Sequence, residues 1–455
     1  MIESRVIKKL TLRLMPLLMI SYFVAIIDRS NLGVAALTMN ADIGLSAAAF
    51  GVAAGVFFIP YVLLEIPSNL ALARFGARLW ITRIMLTWGI IASLHALIFD
   101  ATSLYVLRAL LGAAEAGFFP GVILYITLWF PSAYRGRIIA TFTLGIPVAL
   151  VIGTPISGLL LGMEGFLGLH GWQWVYIIEG IPPIVVAAII LFKLPDSPAK
   201  ATFLDPEEKN WLVSILAAEQ KLRDDAPRGG RFHVLKAILR PQVLVFCLAY
   251  YGLTNLNGGI STFLPQILIP FGVGNTATTF IAIIPYAFGF LGMVVMGRIA
   301  DLPGRRWFAN YFALGIAIVG FITAASVDIP IVKLIALCVA AFGAFGVLPI
   351  FWGLPTALLS GAAAAGAIAL INALGNISSI VNPAVIGAIR ESSGDFNGGL
   401  LWLAGMAVLA AVVLTIIYRI WGRKAVLLAH NPVPALSRPD RVQPDTSSLQ
   451  TPSDK

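Results

Sequence analysis

Twelve apolar stretches, each long enough to cross a hydrocarbon layer, dominate this chain and leave little choice of architecture. A helix rises about 1.5 Å per residue, so roughly 20 apolar residues span a bilayer core of about 30 Å. The stretches lie at 14–37, 48–72, 79–99, 103–130, 137–161 and 173–193, then at 241–269, 276–300, 307–326, 329–359, 363–389 and 398–421. Lipid offers backbone groups no hydrogen-bond partner, so each stretch must satisfy its own as a helix. The expected fold is an all-α membrane protein with twelve transmembrane helices. Composition agrees: 59% of residues are hydrophobic and 12% are charged, against about 25% charged in a soluble domain.

Basic residues set the expected orientation. Of the 31 Lys and Arg, 27 fall on the termini or in the loops on the termini's side. Arg29 and Arg108 lie inside apolar stretches, which leaves only Lys333 and Arg390 for the opposite face. Positive-inside counting then puts both termini in the cytoplasm. The net charge of +9 is explained by this asymmetry and gives no reason to expect nucleic acid. The first stretch is too long for a signal peptide and lacks a small-residue cleavage site, so it is read as retained. Cys247 and Cys338 sit in different helices, and no histidine or cysteine spacing suggests a metal site.

The chain also reads as an internal repeat. The polar stretch 194–240 separates two sets of six helices, giving an N-terminal bundle 1–193 and a C-terminal bundle 241–421. A proline-rich tail, 422–455, is expected to be disordered and cytoplasmic. Within the central stretch, Asp205 and Pro206 are placed to start a short surface helix. Gly76 and Gly304 are 228 residues apart, as are Pro155 and Pro383, and Pro120 and Pro349 are 229 apart. Duplicated bundles place a substrate site between them near the midplane, with access alternating as one rocks against the other. Glycines of the fifth and eleventh helices, such as Gly158 and Gly387, are expected to let backbones approach. After the eighth helix comes Gly297-x3-Asp301-x2-Gly304-Arg305-Arg306, where Asp301 can bond helix ends or arginines as a latch for one access state. The first copy, with Arg74 and Arg78, has Asn69 and Ala73 where the second has Gly297 and Asp301, so its latch must be weaker or differently built. The basic residues there also fit simple positive-inside placement.

Four ionisable residues interrupt the apolar pattern: Asp28 and Arg29 in the first helix, Arg108 and Glu115 in the fourth. Such residues are costly in lipid unless they pair or line a polar path. One reading is a purely structural pair. The other is a site that handles a small anion and a proton together.

Several motifs carry a family resemblance. The loop motif and the six-plus-six layout resemble the major facilitator superfamily. More narrowly, Asp28-Arg29-Ser30-Asn31-Leu32-Gly33, Ile66-Pro67-Ser68-Asn69 with Gly76-Ala77-Arg78, the run Arg108 to Gly121, and Gly171-Trp172-Gln173-Trp174 with Glu179 are similar to the anion:cation symporter family. The closest likeness is to its bacterial branch of tartrate, phthalate, hydroxyphenylacetate and galactonate transporters. The resemblance implies proton-coupled uptake of a small organic carboxylate across the bacterial inner membrane by a monomer. Its implied partners are the anion, protons and the bilayer, with no cofactor beyond the coupling proton. It assigns Arg29 and Arg108 to the anion, Asp28 and Glu115 to the proton, and Tyr61 to the cavity. In helices seven and eleven it points to Asn255, Asn257, Asn372 and Asn376.

Spacing bears on these roles independently. At 1.5 Å per residue Arg108 lies roughly 8 Å from the outer end of its helix. Asp28 and Arg29 lie roughly 21 to 22 Å from the cytoplasmic end of theirs, a similar depth. Glu115 shares the face of Arg108 but sits roughly 10 Å nearer the cytoplasm. Neighbours on a helix point about 100° apart, which favours Asp28 pairing with Arg108 while Arg29 reaches the cavity or Glu115. The second half carries no charge between Pro241 and Gly297, so shape and hydroxyl recognition are expected there, from Ser261, Thr262, Ser378 and Asn382 among others. An exporting antiporter and an uncoupled carrier are the alternatives, and Gly153-Thr154-Pro155-x2-Gly158 partly resembles an exporter motif. An enzyme is not expected, because no catalytic cluster is present.

Overall fold

The computed structural model describes residues 2–224, 240–302, 304–358 and 362–422. Its twelve long apolar helices are Ile2–Asp42, Ala47–Phe75, Ala77–Leu97, Ala101–Trp129, Ser132–Leu161 and Gly171–Lys193, then Pro241–Phe271, Asn275–Asp301, Arg306–Ser326, Pro330–Pro355, Leu370–Ser393 and Asn397–Ile420. Each coincides with one of the apolar stretches, and the expected fold class is the observed one. An even number of crossings leaves both ends on one face. From residue 423 onward the tail lies outside the described residues, as do residues 225–239 of the central stretch.

The first helix begins earlier than its apolar stretch suggests. Its added turns are amphipathic: Val6 and Leu10 are buried, and Arg5 and Lys9 each meet Glu208 at 2.8 Å. Glu208 belongs to the connecting helix Pro206–Asp224, which starts at the proline as the sequence suggests. Polar residues therefore extend the first helix along the surface, where hydropathy alone gives no signal.

Several helices are interrupted, and prolines and glycines explain where. The fourth runs Ala101–Glu115, breaks, and resumes as Phe118–Trp129. Gly117 takes φ +83°, a left-handed conformation that disfavours any side chain, and a Cβ there would collide with Ser68 Oγ. Pro120 has no N–H to return to Ala116, so the ladder cannot close across the break. The second helix is likewise divided at Phe57, four residues after Ala53 and three before Pro60. The two bundles repeat these devices: Gly76 and Gly304, 228 residues apart, open the third and ninth helices with φ +89° and +74°.

Glycines close the interface between the bundles on the face opposite the termini. A Cβ on Gly51 of the second helix would strike the carbonyl of Pro383 in the eleventh, and one on Gly387 would strike that of Ala47. Gly158 of the fifth helix sits against Thr279 of the eighth, and Thr276 Oγ1 donates to the Gly158 carbonyl at 3.1 Å. The Ala48 amide donates to Glu391 at 2.7 Å across the same seam. On the termini's face, no ion pair among the described residues joins the two bundles.

This geometry sets an expectation for Gly51→Leu. Overpacking costs about 1–3 kcal/mol, which depopulates the observed closure by roughly 5- to 160-fold. Transport should fall, and a cysteine introduced at Ser261 should react with an impermeant maleimide from the face opposite the termini. Unchanged transport and no labelling would contradict the closure described here.

Candidate functional site

A cavity of about 150 Å³ lies between the bundles. The first bundle lines it with Ile26, Arg29, Phe58, Arg108 and Leu150, and the second with Thr254, Gly258, Ser261, Thr262, Ser379 and Asn382. The charged lining comes from the first bundle, which also adds Ser30, while the second supplies most of the hydroxyls and the amide.

Arg29 is held by its neighbours. Its Nε donates to Glu115 Oε1 at 2.8 Å, and its Nη2 approaches the same oxygen. Its guanidinium stands over the Tyr61 ring at 4.9 Å and the Phe57 ring at 5.5 Å. Glu115 is fully buried, and its second oxygen, Oε2, has no hydrogen-bond partner. The helix break just after Glu115 places this carboxyl at a helix end rather than mid-helix. The favoured reach of Arg29 toward Glu115 is thus realised.

Arg108 is different. It is 3% exposed, lines the cavity and makes no ion pair among the described residues. Its guanidinium lies over the Phe57 ring at 4.8 Å, and its Nε makes a long 3.4 Å bond to the Ala53 carbonyl. The expected Asp28–Arg108 pair is not formed. Asp28 instead accepts a 2.8 Å bond from Trp88 Nε1 of the third helix, within the bundle and off the cavity. The Trp88 indole of the third helix takes the place at Asp28 that was assigned to Arg108. A buried guanidinium without a carboxylate carries an uncompensated charge facing the cavity.

Phe57 was not singled out in the sequence, yet it lies under both arginines. Its ring stacks on Tyr61 at 5.7 Å, so two aromatics floor the two guanidiniums. The signal was present in Phe57-Phe58-x-Pro60-Tyr61, where a proline interrupts the helix and turns a ring inward. Cation–π contacts contribute about 0.5–2 kcal/mol each. Phe57→Leu should therefore weaken binding of a ligand that engages these guanidiniums by roughly 3- to 30-fold without loss of folding, measured by titration calorimetry. Unchanged affinity would remove Phe57 from the site.

The asparagines named for the second bundle do not line the cavity. Asn257 Nδ2 donates to Leu253 and to Ala344 at 3.0 Å, which ties the seventh helix to the tenth. Asn255 is buried and donates to Tyr251 of its own helix. Asn372 and Asn376 are half-buried away from the cavity. Asn382 takes their place: its Nδ2 donates to the Asn255 carbonyl, and Trp402 Nε1 donates to its Oδ1 at 3.0 Å. Thr254 joins Ser378 at 2.7 Å and the Gly375 carbonyl at 3.0 Å. Helix-to-helix bonding thus occupies many of the polar side chains that the sequence offers as ligands.

The latch residues are spread over the termini's face. Arg78 Nε lies 3.6 Å from Asp196, whose other oxygen accepts the Arg78 amide at 3.2 Å. Asp196 follows the sixth helix, so it caps the third helix from within the first bundle and supplies the carboxylate the first loop copy lacks. Arg306 donates to the Gly353 carbonyl at 3.0 Å inside the second bundle. Asp301 and Arg305 are exposed, and Arg74 lies beside Phe75. None of them joins the bundles in this conformation.

Twelve helices in paired bundles around a central cavity define a secondary transporter. The Major Facilitator Superfamily model matches residues 18–383, and the chain belongs to that family. It is a multi-pass membrane protein and a transporter rather than an enzyme. It is 43% identical to a putative tartrate transporter of Agrobacterium vitis over 92% of this chain and 96% of that one. It is 41% identical to a quinolone resistance transporter of Acinetobacter baumannii, over 91% and 95%. The structure of a D-xylose–proton symporter aligns with TM-score 0.70 at 18% identity, covering 89% of this chain and 96% of that one, a likeness of fold alone.

Proposed function

We propose that the protein takes up a small organic carboxylate together with a proton, across the bacterial inner membrane, with both termini in the cytoplasm. One observation carries the reading: Arg108 is buried against the cavity and, among the described residues, has no ion-pair partner, so its guanidinium can take an anion there. Arginine suits that role because it stays charged and grips a carboxylate with two parallel bonds. The tartrate label of the relatives supports a small hydroxy acid, and the hydroxyl-rich wall of Thr254, Ser261, Thr262 and Ser379 fits such a substrate.

Coupling follows from Arg29, which touches both the cavity and Glu115. A substrate carboxylate at Arg108 also draws on Arg29 and weakens its hold on Glu115. Left alone in an apolar interior, the Glu115 carboxylate is costly, and a proton on Oε2 relieves the cost. A proton on Glu115 in turn frees Arg29 for the substrate. Each ligand favours the other, which is symport expressed as reciprocal coupling. Asp28, behind Trp88, is the second proton group of this reading.

Thermal-shift measurements on the purified protein, with a panel of tartrate, aldonates and aromatic carboxylates, test the anion site. Stabilisation by at least one carboxylate and none by its primary amide is expected. Equal stabilisation by the amide would overturn the assignment. A second reading, proton-driven export, is favoured by the quinolone resistance label of one relative. Everted vesicles separate the two: export predicts accumulation of the drug inside them, uptake does not.

A further inference from the structure

Glu179, in the middle of the sixth helix, takes no part in the cavity and has no role in the coupling described above. It is 6% exposed, and among the described residues no Lys, Arg or His forms an ion pair with it. Ser157 Oγ of the fifth helix donates to its Oε1 at 2.6 Å, while Oε2 is buried without a hydrogen-bond partner. Asn31 of the first helix faces this carboxyl closely enough to act on it, though not in full hydrogen-bond geometry. Asn31 is 1% exposed, and both its Oδ1 and Nδ2 are unpartnered.

Buried polar atoms are rarely left without partners, so facing orphans of this kind call for an account. A proton supplies one. When Oε2 carries hydrogen it can donate to Asn31 Oδ1, and when it does not, a rotated Asn31 amide can donate from Nδ2 to it. Asn31 thus serves either state of the carboxyl, which an apolar residue could not do. It lies one turn from Asp28 on the same helix face.

The surroundings contain few other charges. The sixth helix packs on the first, third and fifth helices and on the short turn His95–Leu97. The first contributes Asp28 and Asn31 and the fifth Ser157, while the third brings Ser93 against Gly180 and carries its charged residues, Arg78 and Arg83, in its first two turns. His95 of the turn stacks near Tyr176 at 5.1 Å, with Nδ1 on the Ile91 carbonyl at 2.9 Å. Among the described residues, Asp28 is the charged neighbour that acts on Glu179. Two like charges repel strongly in an apolar interior, so the proton state of either carboxyl biases the other.

We propose that Glu179, with Asn31 and Ser157, is a second proton-binding site of the first bundle, separate from the substrate cavity and linked by charge to Asp28. It deepens the proton-coupled reading by adding a carboxyl that the substrate cannot touch. The proton can then be held behind the cavity while the anion enters or leaves.

pH-induced infrared difference spectra of the purified full-length transporter test this directly, with no substrate present. Glu179→Gln should remove one protonated-carboxyl band, and Asn31→Leu should shift that band in frequency. A Glu179→Gln spectrum superimposable on wild type would overturn the proposal. If that variant fails to fold, an Asn31→Leu spectrum with no displaced band would overturn it equally. Glu115→Gln, run in parallel, should remove a different band. Loss of the Glu179 band with no change in Glu115→Gln would leave this site standing and count against the coupling scheme instead.

Discussion

Arg108→Lys reaches the membrane at wild-type levels and loses carboxylate transport by roughly 10- to 100-fold. The magnitude follows from a hydrogen-bonded charge contact, worth about 1.5–3 kcal/mol. Lysine keeps the positive charge but not the planar fork, and its ammonium cannot lie flat on the Phe57 ring as the guanidinium does at 4.8 Å. The loss should therefore appear in substrate affinity, read by thermal shift or titration calorimetry alongside uptake. Because Arg108 has no carboxylate partner among the described residues, its replacement strands no buried acid there, and folding should survive. Near-normal affinity in the variant would show that the anion sits elsewhere.

Glu115→Gln separates exchange from accumulation. Glutamine preserves the shape of the side chain and can still accept from Arg29, but it cannot gain or lose a proton. Arg29 is then permanently released from a charged partner and available to substrate. Exchange of preloaded for external carboxylate should continue at near wild-type rate, whereas uphill uptake driven by a pH gradient should fall to background. Counterflow in proteoliposomes reads the first, and gradient-driven accumulation the second. Loss of both together would leave Glu115 without a distinct proton role, and retention of both would exclude it from coupling.

The sequence displayed the membrane architecture openly, because hydropathy over about 20 residues reports directly on burial in lipid. It also displayed the four ionisable residues, since a charge in an apolar stretch stands out wherever it points. Direction was harder to read. Asp28 and Arg29 had to diverge on the helix, but nothing in spacing along one helix foretold that Trp88 of another would take Asp28 away from Arg108. The break after Glu115 was encoded in Gly117 and Pro120, yet a continuous apolar run concealed it. Asparagines 255 and 257 show the same limit: an amide in a membrane helix serves a neighbouring helix as readily as a ligand, and only the packing decides. Phe57 illustrates the converse, an apolar residue whose ring carries the site while its hydropathy suggests only lipid or core.

The reciprocal linkage of anion and proton through Arg29 and Glu115 is the central claim, and proton-driven uptake tests it most directly. Purified protein is reconstituted in proteoliposomes, a pH gradient is imposed, acid outside, and entry of the carboxylate selected by the binding panel is followed with and without a protonophore. The predicted result is accumulation above the external concentration that collapses to equilibration when the protonophore is added. Accumulation that is indifferent to the protonophore would contradict the account.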